Sequence, residues 1–206
     1  MPLSIDTIAY ALFNSKCLKF GSFMIKSGAV SPYYIDLASL LSSPSDMCCV
    51  ADLAAARIAA IRKSEKVVID KLASIELKGA LILPLIGCKT GLPCVVVRKE
   101  NKSYGVTGRI AGAPVSEGDK ILFFDDVISE GLSKLEGIKP LETLGGHVKK
   151  LLVVVDREQG GKEKLEALGI QVNSLARISE LVASLRQSNR ISEDQEREVL
   201  DYVAKH

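Results

Sequence analysis

The residues from Ile121 to Ser133, ILFFDDVISEGLS, constrain this chain more than any other stretch. Ile121 to Phe124 form an unbroken apolar run, as in a strand buried on both faces of a parallel sheet. Asp125 and Asp126 fall at the carboxyl end of that strand, where open α/β sheets bind their ligands. The loop Val127, Ile128, Ser129, Glu130, Gly131, Leu132 and Ser133 comes next, leading into a helical pattern from Leu132 to Leu144. Backbone N–H groups at a helix N-terminus, supplemented by hydroxyls, make a phosphate cradle. Two carboxylates beside such a cradle suit the hydroxyls of a ribose, with a cation alongside. The segment describes a site for a sugar phosphate.

The flanking pattern alternates as such a strand requires. Ile5, Ile8, Ala9 and Leu12 recur at helical spacing and predict a helix over residues 4–17, with Ser4 or Asp6 near its start. Gly21 to Leu37 reads as extended and irregular, with Ser31-Pro32 fixing a turn. A helix rich in Ala, Ile and Leu runs from Asp46 to Lys63. Then come a strand from Val67 to Ile69, a loop through Ser74, a helix from Leu77 to Cys88 and a strand from Cys94 to Val97. The run from Arg98 to Gly118 is too polar and too long for an ordinary connection, and reads as a mobile functional loop with hairpin edges. Beyond the Leu132 helix lie strand Leu151 to Val155, helix Lys162 to Leu168, strand Gln171 to Leu175 and two helices separated near Asn189. Alternating strands and helices predict an α/β fold, a mostly parallel twisted sheet flanked by helices.

Length and charge narrow the class. The 206 residues suit one domain with a sizeable core, or one core with a small hood. A formal charge of +2 is too small for a nucleic-acid-binding protein. The basic residues cluster locally instead, at Arg98, Lys99 and Lys102, as a site for a polyanion would. Five cysteines without C-x-x-C spacing, set among apolar residues, read as buried free thiols of a reducing compartment. The amino-terminal region lacks a signal-peptide pattern, and no apolar run approaches the about eighteen residues of a membrane span. The expectation is a cytoplasmic protein with no membrane and no nucleic-acid partner.

The Ile121–Ser133 segment resembles the phosphoribosyl-pyrophosphate (PRPP) signature of the type I phosphoribosyltransferases: an apolar strand, two acids, then a Thr/Ser/Gly loop. Three further segments, in the same order and spacing, are similar to motifs of the orotate phosphoribosyltransferase family. They are FGSFMIKSGAVSPYYID at residues 20–36, RKENKSYG at 98–105 and DREQGG at 156–161. This chain departs from the family pattern at Glu130, where a small neutral residue is usual, and at Leu132, where Gly or Thr is common. Tyr104 replaces a frequent His, and Ala73, Ser74, Ile75 and Glu76 replace a more Gly-rich turn before Lys78.

The resemblance implies one phosphoribosyltransferase domain over residues 1–206, with residues 1–40 forming much of a hood over the base site. It implies displacement of pyrophosphate from ribose C1 by N1 of orotate, with Mg²⁺ held mainly through PRPP and not by a protein metal site. Lys102, Asp125 and Asp126 are the expected catalytic residues. Lys78, Arg98, Lys99, Lys102, Tyr104 and residues 125–133 would hold PRPP, with Lys102 neutralising the leaving diphosphate from a moving loop. Lys26, Tyr33, Tyr34, Ser129 and Arg157 would hold orotate, because a flat anion calls for aromatic faces and a planar cationic fork. A homodimer sharing the loop 98–118 across its interface is also implied. Two other readings stay open: a type I enzyme for another nucleobase, and a non-catalytic regulator that senses PRPP.

Overall fold

The computed structural model describes residues 4–25, 28–102 and 108–205, with side chains throughout except at 101 and 102. Lys26, Tyr104 and the side chain of Lys102 therefore lie outside the described residues. Helix α1 (Ile5–Asn14) buries Ile8, Ala9, Ala11 and Leu12. A hairpin follows, with β1 (Leu18–Met24) antiparallel to β2 (Val30–Ile35). Ser31 and Pro32 lie within β2 and do not form the expected turn. Proline is tolerated there because each strand of a two-stranded sheet has a free edge. The register also shifts between Phe20 and Phe23, so that two residues of β1 oppose Pro32 in a bulge.

A short 3₁₀ segment (Leu37–Ser42) leads into α2 (Pro44–Glu65), and the sheet begins with β3 (Lys71–Ile75). The expected strand at Val67–Ile69 is thus displaced: residues 67–70 are a connection, and Val68 is 54% exposed. Ala73 and Ser74, which read as loop, are fully buried strand residues. Small side chains suit β3 because α3 (Lys78–Thr90) packs hard against it. A Cβ on Gly79 would lie 2.4 Å from Ser74 Oγ and 2.7 Å from Asp125 Oδ1. The Glu76–Leu77 peptide between β3 and α3 is cis.

Next come β4 (Cys94–Lys102), β5 (Gly108–Gly112), β6 (Lys120–Ile128), α4 (Leu132–Thr143), β7 (His147–Asp156), α5 (Gly161–Ala167), β8 (Gln171–Arg177), α6 (Ile178–Gln187) and α7 (Glu193–Val203). The second sheet has the order β5-β4-β3-β6-β7-β8, parallel throughout except that β5 runs antiparallel to β4. The α/β fold with a mostly parallel sheet is as expected. The hairpin edges expected of the run from Arg98 are present, β4 and β5 pairing Val97 with Ile110 and Lys102 with Gly108, while residues 103–107 lie outside the described residues. An antiparallel edge with one solvated face accepts polar residues that a buried strand excludes.

Two apolar layers cover the sheet. Leu122, Phe124, Leu152 and Val154 face α1, α2, α3 and α6, whereas Phe123, Leu151 and Val153 face α4 and α5. Phe123 and Phe124 are both wholly buried, each contributing roughly 1.5–3 kcal/mol relative to exposure. The expectation of buried thiols holds for Cys17 alone: Cys48 and Cys88 are exposed, and Cys49 and Cys94 are half-buried. Their apolar neighbours in sequence lie on the inner faces of α2 and α3, and the helical period turns Cys48 and Cys88 outward. Among the described residues, no helix is long and apolar enough to cross a membrane.

The order reverses at β3. From β3 the chain moves to β4 on one side, and β6 pairs on the other. The connecting helices α3 and α4 consequently leave on opposite faces, opening a crevice at the carboxyl ends of β3 and β6. That crevice holds the residues singled out above.

Candidate active site

Asp125 and Asp126 end β6 inside the fold, at 5% and 9% exposure. Successive strand residues face opposite sides. Asp125 lies on the Phe123 side, and Lys134 Nζ in the first turn of α4 meets its Oδ2 at 2.5 Å. The same ammonium lies 3.9 Å from Asp126 Oδ1. The remaining oxygen of Asp125, Oδ1, accepts from the Asp126 N–H at 2.9 Å, and Asp126 Oδ1 accepts from the Val127 N–H at 2.8 Å. Burial pushes the Asp125 carboxyl up to about 6; the Lys134 charge works against that rise and the Asp126 charge adds to it.

From there the main chain turns through Ser129, Glu130 and Gly131 into α4, with Gly131 at φ +83° as its N-cap. Glu130 and Leu132 are exposed, so the two departures from the family pattern leave the loop's main chain uncovered by their bulk. The loop is braced by its neighbour. A Cβ on Gly161 would lie 2.2 Å from the Ser129 carbonyl oxygen and 2.7 Å from Gly131 N, which explains the glycine closing the DREQGG segment.

Arg157 follows β7 on the far wall. Its Nε donates to the Tyr33 hydroxyl at 3.0 Å, one terminal nitrogen donates to Ser129 Oγ at 3.4 Å, and the guanidinium lies 4.8 Å from the Tyr33 ring centroid. Tyr33 is wholly buried and packs edge-on against Tyr202 of α7. Burial raises the Tyr33 pKa, although the Arg157 charge opposes that. Tyr34 is 39% exposed, and the Lys78 ammonium stands 5.6 Å from its ring centroid. Lys78 also forms an ion pair with Asp36 at 3.0 Å. Partial burial disfavours its charge, but the Asp36 hydrogen bond and charge outweigh that and raise its pKa, with Asp126 adding to the effect.

Of these groups, Tyr34, Ser129, Gly131, Lys134 and Arg157 line a cleft of about 840 Å³, together with Ser133, whereas Tyr33, Lys78, Asp125 and Asp126 stand behind its lining. A second cavity of about 580 Å³ lies at the opposite end of the strands, near Val67, Lys120 and His147, with an apolar and basic lining far from the acidic pair. Arg98 and Lys99 are not in the cleft lining. Arg98 donates to the Gly108 carbonyl at 3.1 Å within the β4–β5 hairpin, and the Lys99 N–H donates to Glu76.

No protein-family model matches the chain. A curated orotate phosphoribosyltransferase from Sulfolobus acidocaldarius is 36% identical over 196 residues, covering 95% of this chain and 95% of that relative. This chain belongs to the orotate phosphoribosyltransferase family. Among solved structures, the UMP synthase of Leishmania donovani matches with a TM-score of 0.87 and 30% identity, over 98% of this chain and 43% of that one. The orotate phosphoribosyltransferase of Aeropyrum pernix has the same fold, with a TM-score of 0.72, 24% identity and coverage of 90% of this chain and 99% of its own.

Membership of the orotate phosphoribosyltransferase family leaves residues that sequence reasoning missed. Lys134 and Asp36 went unremarked, and so did Tyr202. A lysine in the first turn of a helix reads as solvated surface, yet Lys134 is 6% exposed. Its one signal is its position nine residues after Asp125, too distant for a local rule. Tyr202 lies in a helix whose pattern shows burial but not which sheet end it reaches.

Proposed function

We propose that the cleft transfers the phosphoribosyl group of PRPP to orotate. N1 of orotate bonds to ribose C1 as the C1–oxygen bond to diphosphate breaks, giving orotidine 5′-monophosphate and pyrophosphate in pyrimidine biosynthesis. The observation that carries this reading is one cleft lined by the braced 129–133 loop and Arg157, with Lys134 in its wall paired to the Asp125 and Asp126 carboxylates behind it. The curated relatives that support it share the name orotate phosphoribosyltransferase over nearly the whole chain. No observation favours a different nucleobase or a non-catalytic sensor.

In this reading the N–H groups and hydroxyls of residues 129–133 hold the 5′-phosphate at the start of α4. Asp125 and Asp126 present charge toward the ribose hydroxyls. Lys78 leaves Asp36 for the diphosphate, trading one anion for a stronger one. Arg157, with Ser129, the Tyr34 ring and Lys26, takes the orotate carboxylate and carbonyls, while the expected contact from Tyr33 gives way to a supporting one, because its buried ring holds Arg157 in place. The residues present fit a magnesium ion brought in by the substrate. Asp125 is already paired, and among the described residues no three His, Cys, Asp or Glu side chains are placed to hold an ion. When bound, Mg²⁺ supplies charge neutralisation at the diphosphate through its oxygens and water.

The oxocarbenium-like transition state calls for charge at the leaving group and exclusion of water more than for covalent help. Lys102, with Arg98, Lys99 and Tyr104, serves that step from the β4–β5 hairpin of a partner subunit in a homodimer. Residues 1–40 form much of the hood over the base site, and the whole chain acts as one domain in the cytoplasm. The test is the loss of orotate absorbance with PRPP and Mg²⁺. Turnover is expected with orotate and not with adenine, hypoxanthine or uracil; turnover of a purine but not orotate overturns the assignment.

A further inference from the structure

The cleft contains one buried cation that the reaction as described does not use. Lys134 is 6% exposed, in the first turn of α4, immediately after the loop assigned to phosphate. Its ammonium lies 2.5 Å from Asp125 Oδ2 and 3.9 Å from Asp126 Oδ1, reaching both carboxylates although they face opposite sides of β6. A lysine is seldom buried unless paired, and a charge removed from water at this depth costs several kcal/mol unless another charge meets it. A purely structural brace at a strand end could be apolar. This position holds a charge between the two acids that end β6.

We propose that Lys134 is a positioning residue for the phosphoribosyl transfer, meeting the Asp125 carboxylate with its charge and pinning the end of β6 to α4 so that the loop between them is set for PRPP. The inference rests on the function proposed above. Within it, the pair must arrive at substrate as carboxylates, because a protonated acid loses an anionic acceptor for the ribose hydroxyls. Two adjacent buried carboxylates resist joint ionisation. Burial already carries Asp125 to about 6, and the Lys134 charge is the foremost of the effects that oppose that rise, with the Lys134 and Asp126 N–H hydrogen bonds beside it.

The surroundings supply no substitute. Around Asp125 stand Asp126 on β6, Lys134 on α4, the Ser74 hydroxyl on β3, the uncharged main chain of Gly79 on α3 and apolar Val153 on β7. Lys78 at the start of α3 acts on Asp126, but its ammonium is committed to Asp36. Among the described residues, Lys134 is the one cation in contact with Asp125.

The experiment compares the full-length protein with Lys134→Met, Lys134→Arg, Asp125→Asn and the double variant Lys134→Met with Asp125→Asn. PRPP affinity is measured by calorimetry, and kcat/KM for PRPP is followed from about pH 5 to pH 8.5. Lys134→Met is expected to weaken PRPP binding roughly tenfold or more while KM for orotate stays within about twofold. Its acidic limb should move up by about one pH unit, and Lys134→Arg should move it back. The phosphate of PRPP titrates identically with every variant, so the difference between profiles belongs to the protein.

A Lys134→Met variant with the wild-type PRPP affinity and pH limb overturns the proposal. If Lys134→Met does not fold, the double variant, which removes both buried charges, carries the test. A folded double variant that binds PRPP as Asp125→Asn alone does upholds a role exercised through Asp125, and one that binds it tenfold or more weakly than Asp125→Asn alone overturns it. Should the wild type fail to turn over orotate, the underlying reading has failed. The assigned Asp125 carboxyl resonance then reports on Lys134 by itself, moving to higher pH in Lys134→Met or, against the proposal, staying in place.

Discussion

Arg157 grips Tyr33 twice, donating from Nε to the phenolic oxygen at 3.0 Å and lying over the ring at 4.8 Å from its centroid. The contact joins the end of β7 to a hairpin 124 residues earlier in the chain. It therefore sets the side of the cleft where Ser129 and Tyr34 also converge.

Arg157→Ala should raise KM for orotate roughly tenfold to a hundredfold, the cost of a lost charge-assisted pair, and change KM for PRPP far less. Tyr33→Phe keeps the ring beneath the guanidinium and should cost only a few-fold. Steady-state kinetics with each substrate varied in turn make the comparison. Equal losses for both substrates would remove Arg157 from the base side.

Gly161→Ala places a methyl group 2.2 Å from the Ser129 carbonyl oxygen and 2.7 Å from Gly131 N, both main-chain atoms that cannot rotate away. The expected result is a displaced 129–131 loop, with a stability loss of roughly 1–3 kcal/mol and a larger proportional loss of PRPP affinity. Thermal melting and calorimetry read the two effects separately. Wild-type PRPP affinity in this variant would mean the loop does not hold the phosphate.

Asp125 should titrate well above an ordinary aspartate. Its carboxyl is carried from 3.8 to about 6 by burial, with Lys134 offsetting and Asp126 adding. Because the folded state binds this proton more tightly than the unfolded chain, the group favours the fold most below pH 3.8. That contribution is lost as pH rises from 3.8 through about 6, and the penalty is constant above. Carbon-13 titration of the assigned Asp125 carboxyl in the ligand-free protein should show the midpoint near pH 6; a midpoint near pH 4 contradicts it.

Lys102→Ala should lower kcat about a hundredfold or more while leaving PRPP affinity nearly unchanged, since a mobile cation meets the diphosphate chiefly as charge develops on it. Mixing inactive Lys102→Ala with inactive Asp125→Asn should restore activity if the hairpin serves the neighbouring subunit. Random pairing makes about half the dimers hybrid, each with one complete site, so about a quarter of the sites recover. A mixture that stays inactive after verified subunit exchange would assign Lys102 to its own chain.

Local sequence determined the elements whose signal is local. The run Ile121 to Phe124 with its two acids specified a buried strand ending in a site, because burial on both faces demands continuous apolar residues. The helices α1, α2 and α4 also followed their periodicity to within a few residues. Where small or polar residues were chosen by a neighbour, the sequence misled. Ser74 read as loop, but it is a strand residue kept small by Gly79, and Pro32 read as turn, but it sits in a strand whose partner bulges around it.

The candidate site divides in the same way. The places of Asp125, Asp126, Ser129 and Arg157, at strand ends and in the loops after them, were legible because an apolar run marks where each buried strand stops. Only the tertiary structure joined Arg157 to Tyr33, Lys78 to Asp36 and Lys134 to Asp125. Pairing across a crevice depends on which face each helix leaves from, and that is decided by sheet order. A lysine's charge is visible in sequence; whether water or a carboxylate surrounds it is decided by packing.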